Sequence, residues 1–222
     1  MPNKIALKKS RVVGMLAPCF GLLLVTSACA PTLETPNDTP PDGGAELCPQ
    51  ADPICNADMG DGVTVTHIAA LDQIEWVYFD FDTMSTPMVD VPRQSEAWDL
   101  AFKRFVIKVN GGVSGIGGVE FAVVEDLSFT ALTVPPSNTE WLVDLVDDPE
   151  DPDLDPEFLM ATGPTGWFDY NPSNHVLTPR DRVYVVRSVE GDYYKLKMLT
   201  YYDSVGSPAH LRFNWAKLAI PD

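Results

Sequence analysis

The chain reads as an antiparallel all-β domain behind a disordered N-terminal tether, and three observations predict this. Between Tyr193 and Tyr202, Tyr194, Leu196 and Met198 fall on one face while Lys195 and Lys197 fall on the other, the period of a half-buried strand. Near the end, Leu211, Phe213 and Trp215 alternate with His210, Arg212 and Asn214 in the same way. No stretch combines helical spacing, caps and adequate length, so strands must build the core.

The amino terminus is a processing signal. Lys4, Lys8, Lys9 and Arg11 precede an apolar run from Val12 to Val25, the charged start and short hydrophobic stretch of a secretory signal peptide. The run ends in Val25-Thr26-Ser27-Ala28-Cys29, which resembles a bacterial lipobox, with Thr26 where Leu is usual. Cleavage of residues 1–28 would leave Cys29 as the lipidated first residue. Cys19 follows Pro18 and lacks the small neighbour that cleavage needs. A transmembrane helix is the competing reading, but the run is short and a polar, Pro-rich segment follows at once. Ala30 occupies the place where Asp would hold a lipoprotein at the inner membrane, which favours the outer membrane.

Residues 29–62 are rich in Pro, Thr, Asp and Gly and cannot bury enough apolar surface to offset their ordering entropy, so they read as a tether. Cys48 and Cys55 lie near its end with six residues between them. In an oxidising compartment this spacing favours a disulfide over a metal site, which would need further ligands nearby.

Residues 63–222 are long enough for one hydrophobic core. Ile74 to Phe81 is aromatic and β-branched, Ser95 to Leu100 suits a short helical turn, and Ala101 to Val109 reads as a strand. That strand stops at Asn110-Gly111-Gly112, residues that tolerate tight turns, and a second apolar run starts at Val119. Gly191-Asp192 between two extended runs predicts a two-residue hairpin loop. The glycines form no Walker loop, since Gly117-Gly118 lead into Val119 rather than Lys-Ser/Thr. Nor do they form a nucleophile elbow, since Ile116 breaks the G-x-S-x-G frame.

The segment Trp98-Asp99-Leu100-Ala101-Phe102, then Asn110-Gly111-Gly112 with Ser114-Gly115, resembles the signature of HmuY-like proteins, surface lipoproteins whose best-known members bind haem. Val183 to Arg187, then Tyr193-Tyr194-Lys195, Tyr201-Tyr202-Asp203 and the closing Leu211 to Trp215, extend the resemblance over roughly Leu71 to Lys217, a span of one domain's size. It implies an antiparallel β fold, haem or a related porphyrin as ligand, and an outer-membrane receptor as recipient. Family members differ in their axial ligands, some using two His and others Met.

Charge narrows the partners. The formal net charge is −17, and loss of residues 1–28 removes four basic and no acidic residues, leaving 11 against 32, a net −21. Such a surface disfavours nucleic acid, whose binding depends on phosphate neutralisation. Acidic residues peak between Asp144 and Glu157. There Asp151, Asp153 and Asp155 imitate the start of a calcium loop. Pro156 stands where that loop needs Gly, and Thr162 where it needs Glu, so the segment reads as a solvated loop.

Haem iron takes axial His, Met, Cys or Tyr. His175 lies in a polar loop with Trp167, Phe168 and Tyr170 nearby, and loops on a rigid scaffold concentrate binding residues. It is the first candidate; Met160 and His210 follow, with His67 beside Ile68. For each, ordinary packing or solvation is the competing reading. Two function classes follow: a haem-capturing lipoprotein, or an envelope lipoprotein whose β domain makes protein contacts without a cofactor. No constellation of nucleophile, base and orienter supports a hydrolase.

The processing signal generates a direct expectation. Replacing Cys29 with Ser should block lipid attachment and release or stall the precursor. Mass spectrometry showing an unmodified Cys29 on the membrane-bound protein would contradict it.

Overall fold

The computed structural model describes residues 52–146 and 156–220, all within one unit, Pro40–Asp222. Its frame is a six-stranded antiparallel sheet in the order β1-β2-β13-β12-β11-β6. These strands are β1 (Ile54–Gly60), β2 (Val63–Ala69), β6 (Glu120–Val124), β11 (Val183–Arg187), β12 (Tyr193–Tyr202) and β13 (Pro208–Lys217). A three-stranded sheet, β3 (Val77–Phe79), β4 (Leu100–Lys103) and β5 (Val106–Val109), contributes the facing side chains of the core. Among the described residues two further antiparallel pairs occur: β7 (Leu145–Val146) with β8 (Pro156–Glu157), and β9 (Phe168–Asn171) with β10 (Val176–Pro179).

The all-β, antiparallel expectation is met, and the alternation of β12 and β13 explains it. Tyr194, Leu196, Met198, Leu211, Phe213 and Trp215 are all buried in one cluster with Phe79, Leu100, Phe102, Ile107 and Val109 from the smaller sheet. Aromatic rings interleave there: Phe81 stacks on Tyr194 at 4.7 Å, Phe102 stacks on Phe213 at 5.6 Å, and Phe79 meets Phe213 edge-on. Such pairs add to the burial term itself.

Several local expectations are corrected. Among the described residues the first strand, β1, begins at Ile54, ahead of the Val63 boundary, and pairs along β2; Cys55 lies on it and is disulfide-bonded, while Cys48 lies outside the described residues. Ala101 to Val109 is not one strand but the hairpin β4–β5, turned at Arg104 with φ 54°. The helical turn falls at Pro92–Gln94 rather than Ser95 to Leu100, which ends in β4. The β11–β12 loop runs from Ser188 to Asp192 rather than over Gly191-Asp192 alone, with Gly191 at φ 87°. Lys195 is on the outer face, as the alternation requires, yet it is covered: its ammonium donates to the Phe129 and Leu132 carbonyls at 2.8 Å each. Residues 124–141 supply that cover, packing Phe129, Leu132 and Trp141 against Val183, Val185 and Leu218. The Asp151, Asp153 and Asp155 segment lies outside the described residues.

The Asn-Gly-Gly run is a crossing between sheets rather than a hairpin, since β5 pairs with β4 while β6 pairs with β11. Asn110 is fully buried and its side-chain amide donates to the Ser95 and Trp98 carbonyls at 2.9 and 2.7 Å, while its oxygen accepts the Gly117 amide. A Cβ on Gly115 would sit 1.8 Å from that oxygen, and one on Gly111 would sit 2.0 Å from the Val119 carbonyl. The glycines are therefore demanded by close backbone approach. Beside them Asp144 is buried and accepts the Val109 amide at 3.0 Å. Burial pushes its carboxyl up to about 7, against the lowering effect of its hydrogen bonds and of Lys108.

Two measurements test this crossing. Gly111→Ala should cost about 3 kcal/mol or more by overpacking, whereas Gly118→Ala, with φ 70° but nothing within 4 Å of the added carbon, should cost only about 1–2 kcal/mol of backbone strain. Equal losses in denaturant titrations would defeat the steric account. For Asp144, a folded-state value above the unfolded 3.8 means the native state holds the proton more tightly, so its contribution falls as pH rises from about 4 to 7. Asp144→Asn should therefore gain stability relative to wild type across that interval, by roughly 2–4 kcal/mol. A constant difference between the two proteins from pH 4 to 8 would exclude the shift.

Candidate functional site

The three sequence candidates for an iron ligand land in three different environments. Met160 lies in a turn between β8 and β9, as expected, yet it is 0% exposed and belongs to the main core, where the backbone bond from Trp167 to the Met160 carbonyl holds this segment inward. Its thioether is packed among apolar side chains and faces no solvent.

His210 lies on β13, on the face opposite Leu211 and Phe213, and meets His67 of β2. The pairing of His67 with Arg212 and of His210 with Ala69 makes the two histidines diagonal neighbours. His67 Nε2 and His210 Nδ1 are 3.3 Å apart, the ring centroids 5.4 Å apart, and Asp203 Oδ2 lies 3.9 Å from His210 Nε2. His67 is only 3% exposed. The two rings touch, so they cannot flank a planar macrocycle without being parted. Nothing in the sequence signals this pair, because it arises from register between strands 143 residues apart.

His175 closes the β9–β10 hairpin, with φ 59° at the turn and its amide bonded to the Asn171 carbonyl at 2.8 Å. Asn and His accept that backbone region more readily than bulkier residues. Its side chain is at the surface and its Nδ1 is hydrogen-bonded to the Tyr170 hydroxyl at 2.5 Å. Tyr170 is 51% exposed. The base of the hairpin is firmly held. Trp167 is fully buried and its indole donates to the Phe105 carbonyl at 2.9 Å, Leu177 is buried, and the Leu177 amide donates to the Tyr202 hydroxyl at 3.0 Å. Arg180 donates from Nη1 to the Gly163, Pro164 and Gly166 carbonyls, and from Nε to Asp169. A fixed base thus presents an exposed His–Tyr pair. The two tautomers of His175 give two donor atoms. With the proton on Nδ1, Nε2 carries the lone pair. With Nδ1 accepting from Tyr170, the phenol oxygen keeps its lone pairs as the open donor.

His175 and Tyr170 are accepted axial types that lie at the surface, whereas Met160, also an accepted type, is buried in the core. A surface pocket of about 230 Å³ lined by Glu125, Asp126, Leu127, Ser128, Asp181, Arg182, Val183 and Lys197 carries no axial ligand type. On the outer side of the small sheet, Lys108 lies over Trp76, Tyr78 and Trp98 at 4.3, 5.3 and 5.1 Å. Its burial lowers it to about 8, and the aromatic faces hold the charge that water would otherwise solvate.

Comparison with known proteins places this geometry. The HmuY protein family model matches residues 72–215. Among solved structures, a candidate lipoprotein from Bacteroides fragilis is 17% identical with a TM-score of 0.53, covering 75% of this chain and 95% of its own. A candidate HmuY-like haem-binding protein from Bacteroides vulgatus is 20% identical with a TM-score of 0.52, covering 73% and 96%. The apo HmuY analogue of Tannerella forsythia is 18% identical with a TM-score of 0.50, covering 75% and 97%. No curated protein matches the chain. With the family model matching residues 72–215, most of the domain, the chain belongs to the HmuY family.

Proposed function

We propose that this protein is a lipid-anchored envelope protein that binds haem or a related porphyrin at the β9–β10 hairpin and passes it to an outer-membrane receptor. The hydrogen bond between His175 Nδ1 and the Tyr170 hydroxyl carries this reading. Of the three candidates, His175 alone sits at the surface with a partner able to fix its tautomer, and such outer partners commonly decide how well a metal is held. Haem bound there would contribute an iron centre that takes one axial ligand from the pair. Tyr170 orients the ring, while Trp167 and Leu177 anchor the hairpin to the core. Support also comes from the family match and from relatives described as haem-binding. On this reading Cys29 is the lipid anchor and Cys48 is the disulfide partner of Cys55.

Haem titration followed at the Soret band tests the assignment. His175→Ala should weaken binding by at least about tenfold, and Tyr170→Phe should weaken it by an amount within the roughly 10–100-fold range of lost outer partners. His210→Ala should leave the titration unchanged. Saturable binding that survives His175→Ala but not His210→Ala moves the iron to the β2–β13 face. No binding by wild type shifts the weight to a cofactor-free contact module.

A further inference from the structure

A second cluster lies where the end of β3 meets the β11–β12 loop. One carboxylate oxygen from each of Asp80, Asp82 and Asp99 lies within 4.8 Å of the others. Two oxygens that both touch one calcium ion at about 2.4 Å can stand at most about 4.8 Å apart, so this spacing is within the span of a single ion. Asp82 and Glu190 also face each other across the gap. The neighbouring cation, Lys217, is bound to Asp192 and leaves the group acidic in sum.

An independent observation points to a missing partner. Ser188 is 2% exposed, and its Oγ is buried without a hydrogen-bond partner. It faces the Asp82 carboxylate but falls short of bonding geometry. A buried hydroxyl left this way costs free energy, and a cation between it and the carboxylates would remove that cost. Asp99 has given one lone pair of each oxygen to a backbone amide, Phe81 and Val189, both at 2.9 Å, and each oxygen has another to offer. The Tyr194 hydroxyl donates to Asp82 at 2.8 Å, placing an aromatic ring beside the site.

We infer that Asp80, Asp82 and Asp99, with Ser188 Oγ, form a divalent-cation site of calcium type. The oxygen-only ligand set and its origin in two loops suit calcium's flexible coordination better than the rigid octahedron of magnesium. Occupancy would tie the small sheet to the β11–β12 hairpin. An affinity of about 0.1–1 mM is expected, as in extracellular calcium modules.

Calorimetry with calcium chloride and terbium luminescence sensitised through Tyr194 test this on the mature chain. Wild type should bind one ion at this site, competed by calcium. Asp82→Asn should weaken it at least about tenfold by removing a charged ligand, and Ser188→Ala about threefold. Both positions can be changed without touching the Asp99 bonds to the backbone. Replacing Asp151, Asp153 and Asp155 with Asn should leave this site intact. The inference is overturned if wild type shows neither heat nor calcium-competed luminescence up to about 10 mM. It is equally overturned if Asp82→Asn binds as wild type while the triple Asn variant does not.

Discussion

Asp99 is the residue on which the two layers depend. Its carboxylate accepts the Phe81 amide with one oxygen and the Val189 amide with the other. Its own amide donates to the Phe79 carbonyl, and its carbonyl accepts the Asn110 amide. Four bonds therefore join the end of β3, the end of β5 and the loop that opens β12. Burial raises this carboxyl to about 7, against the lowering effect of those amides and with Asp80 and Glu190 adding to the rise. The energetic cost is tolerated because two buried amides would otherwise lack acceptors. Trp98 beside it is fully buried and donates to the Pro92 carbonyl at 3.1 Å, so the Trp-Asp step is a fold determinant. Its presence in the family signature therefore speaks of architecture rather than ligand.

What was legible in the sequence follows from which interactions are local. The faces of β12 and β13 were readable because period-two alternation is imposed by each strand on itself. The β4–β5 turn was not, because Arg104 and Phe105 are poor turn formers. Arg104 is held at φ 54° by tertiary bonds, its amide and guanidinium reaching the Ala70 and Leu71 carbonyls. The cover over Lys195 was equally invisible, because the carbonyls of Phe129 and Leu132 reach it from more than 60 residues away. Glycines were easily noticed, but their reason lay elsewhere. Their tolerance of tight turns was the local signal, while the structure demands missing side chains against the Val119 carbonyl and the Asn110 amide.

The candidate site divides along the same line. The exposed loop position of His175 was legible because its loop composition is a local signal, and its contact with Tyr170 is only five residues away. Met160 misled for the opposite reason. Its neighbours Ala161-Thr162-Gly163-Pro164 read as a loop, yet the turn that begins at Phe158 carries the Met side chain into the core. The groups of the acidic cluster, Asp80, Asp82 and Asp99 with Ser188, are spread over more than a hundred positions. Composition alone drew attention instead to the contiguous acidic run after Asp144.

Charge sets the last constraint on the functional reading. On the proposed function, a porphyrin that carries carboxylates would approach a chain whose net charge is −21 once residues 1–28 are removed. At physiological ionic strength, however, exposed charges are screened beyond about 8 Å, so the surroundings of the hairpin matter more than the total. Arg180 at the hairpin base is already committed to Asp169 and three carbonyls, and Arg182 to Glu125. Neither is available to draw in a carboxylate without breaking those bonds. Attraction at the hairpin must therefore come from iron coordination and contact with apolar and aromatic surface. A bound divalent cation would lower the net negative charge without adding basic residues to the surface. On this account salt should alter the affinity for haem only weakly, whereas changes at the His175–Tyr170 pair should alter it strongly.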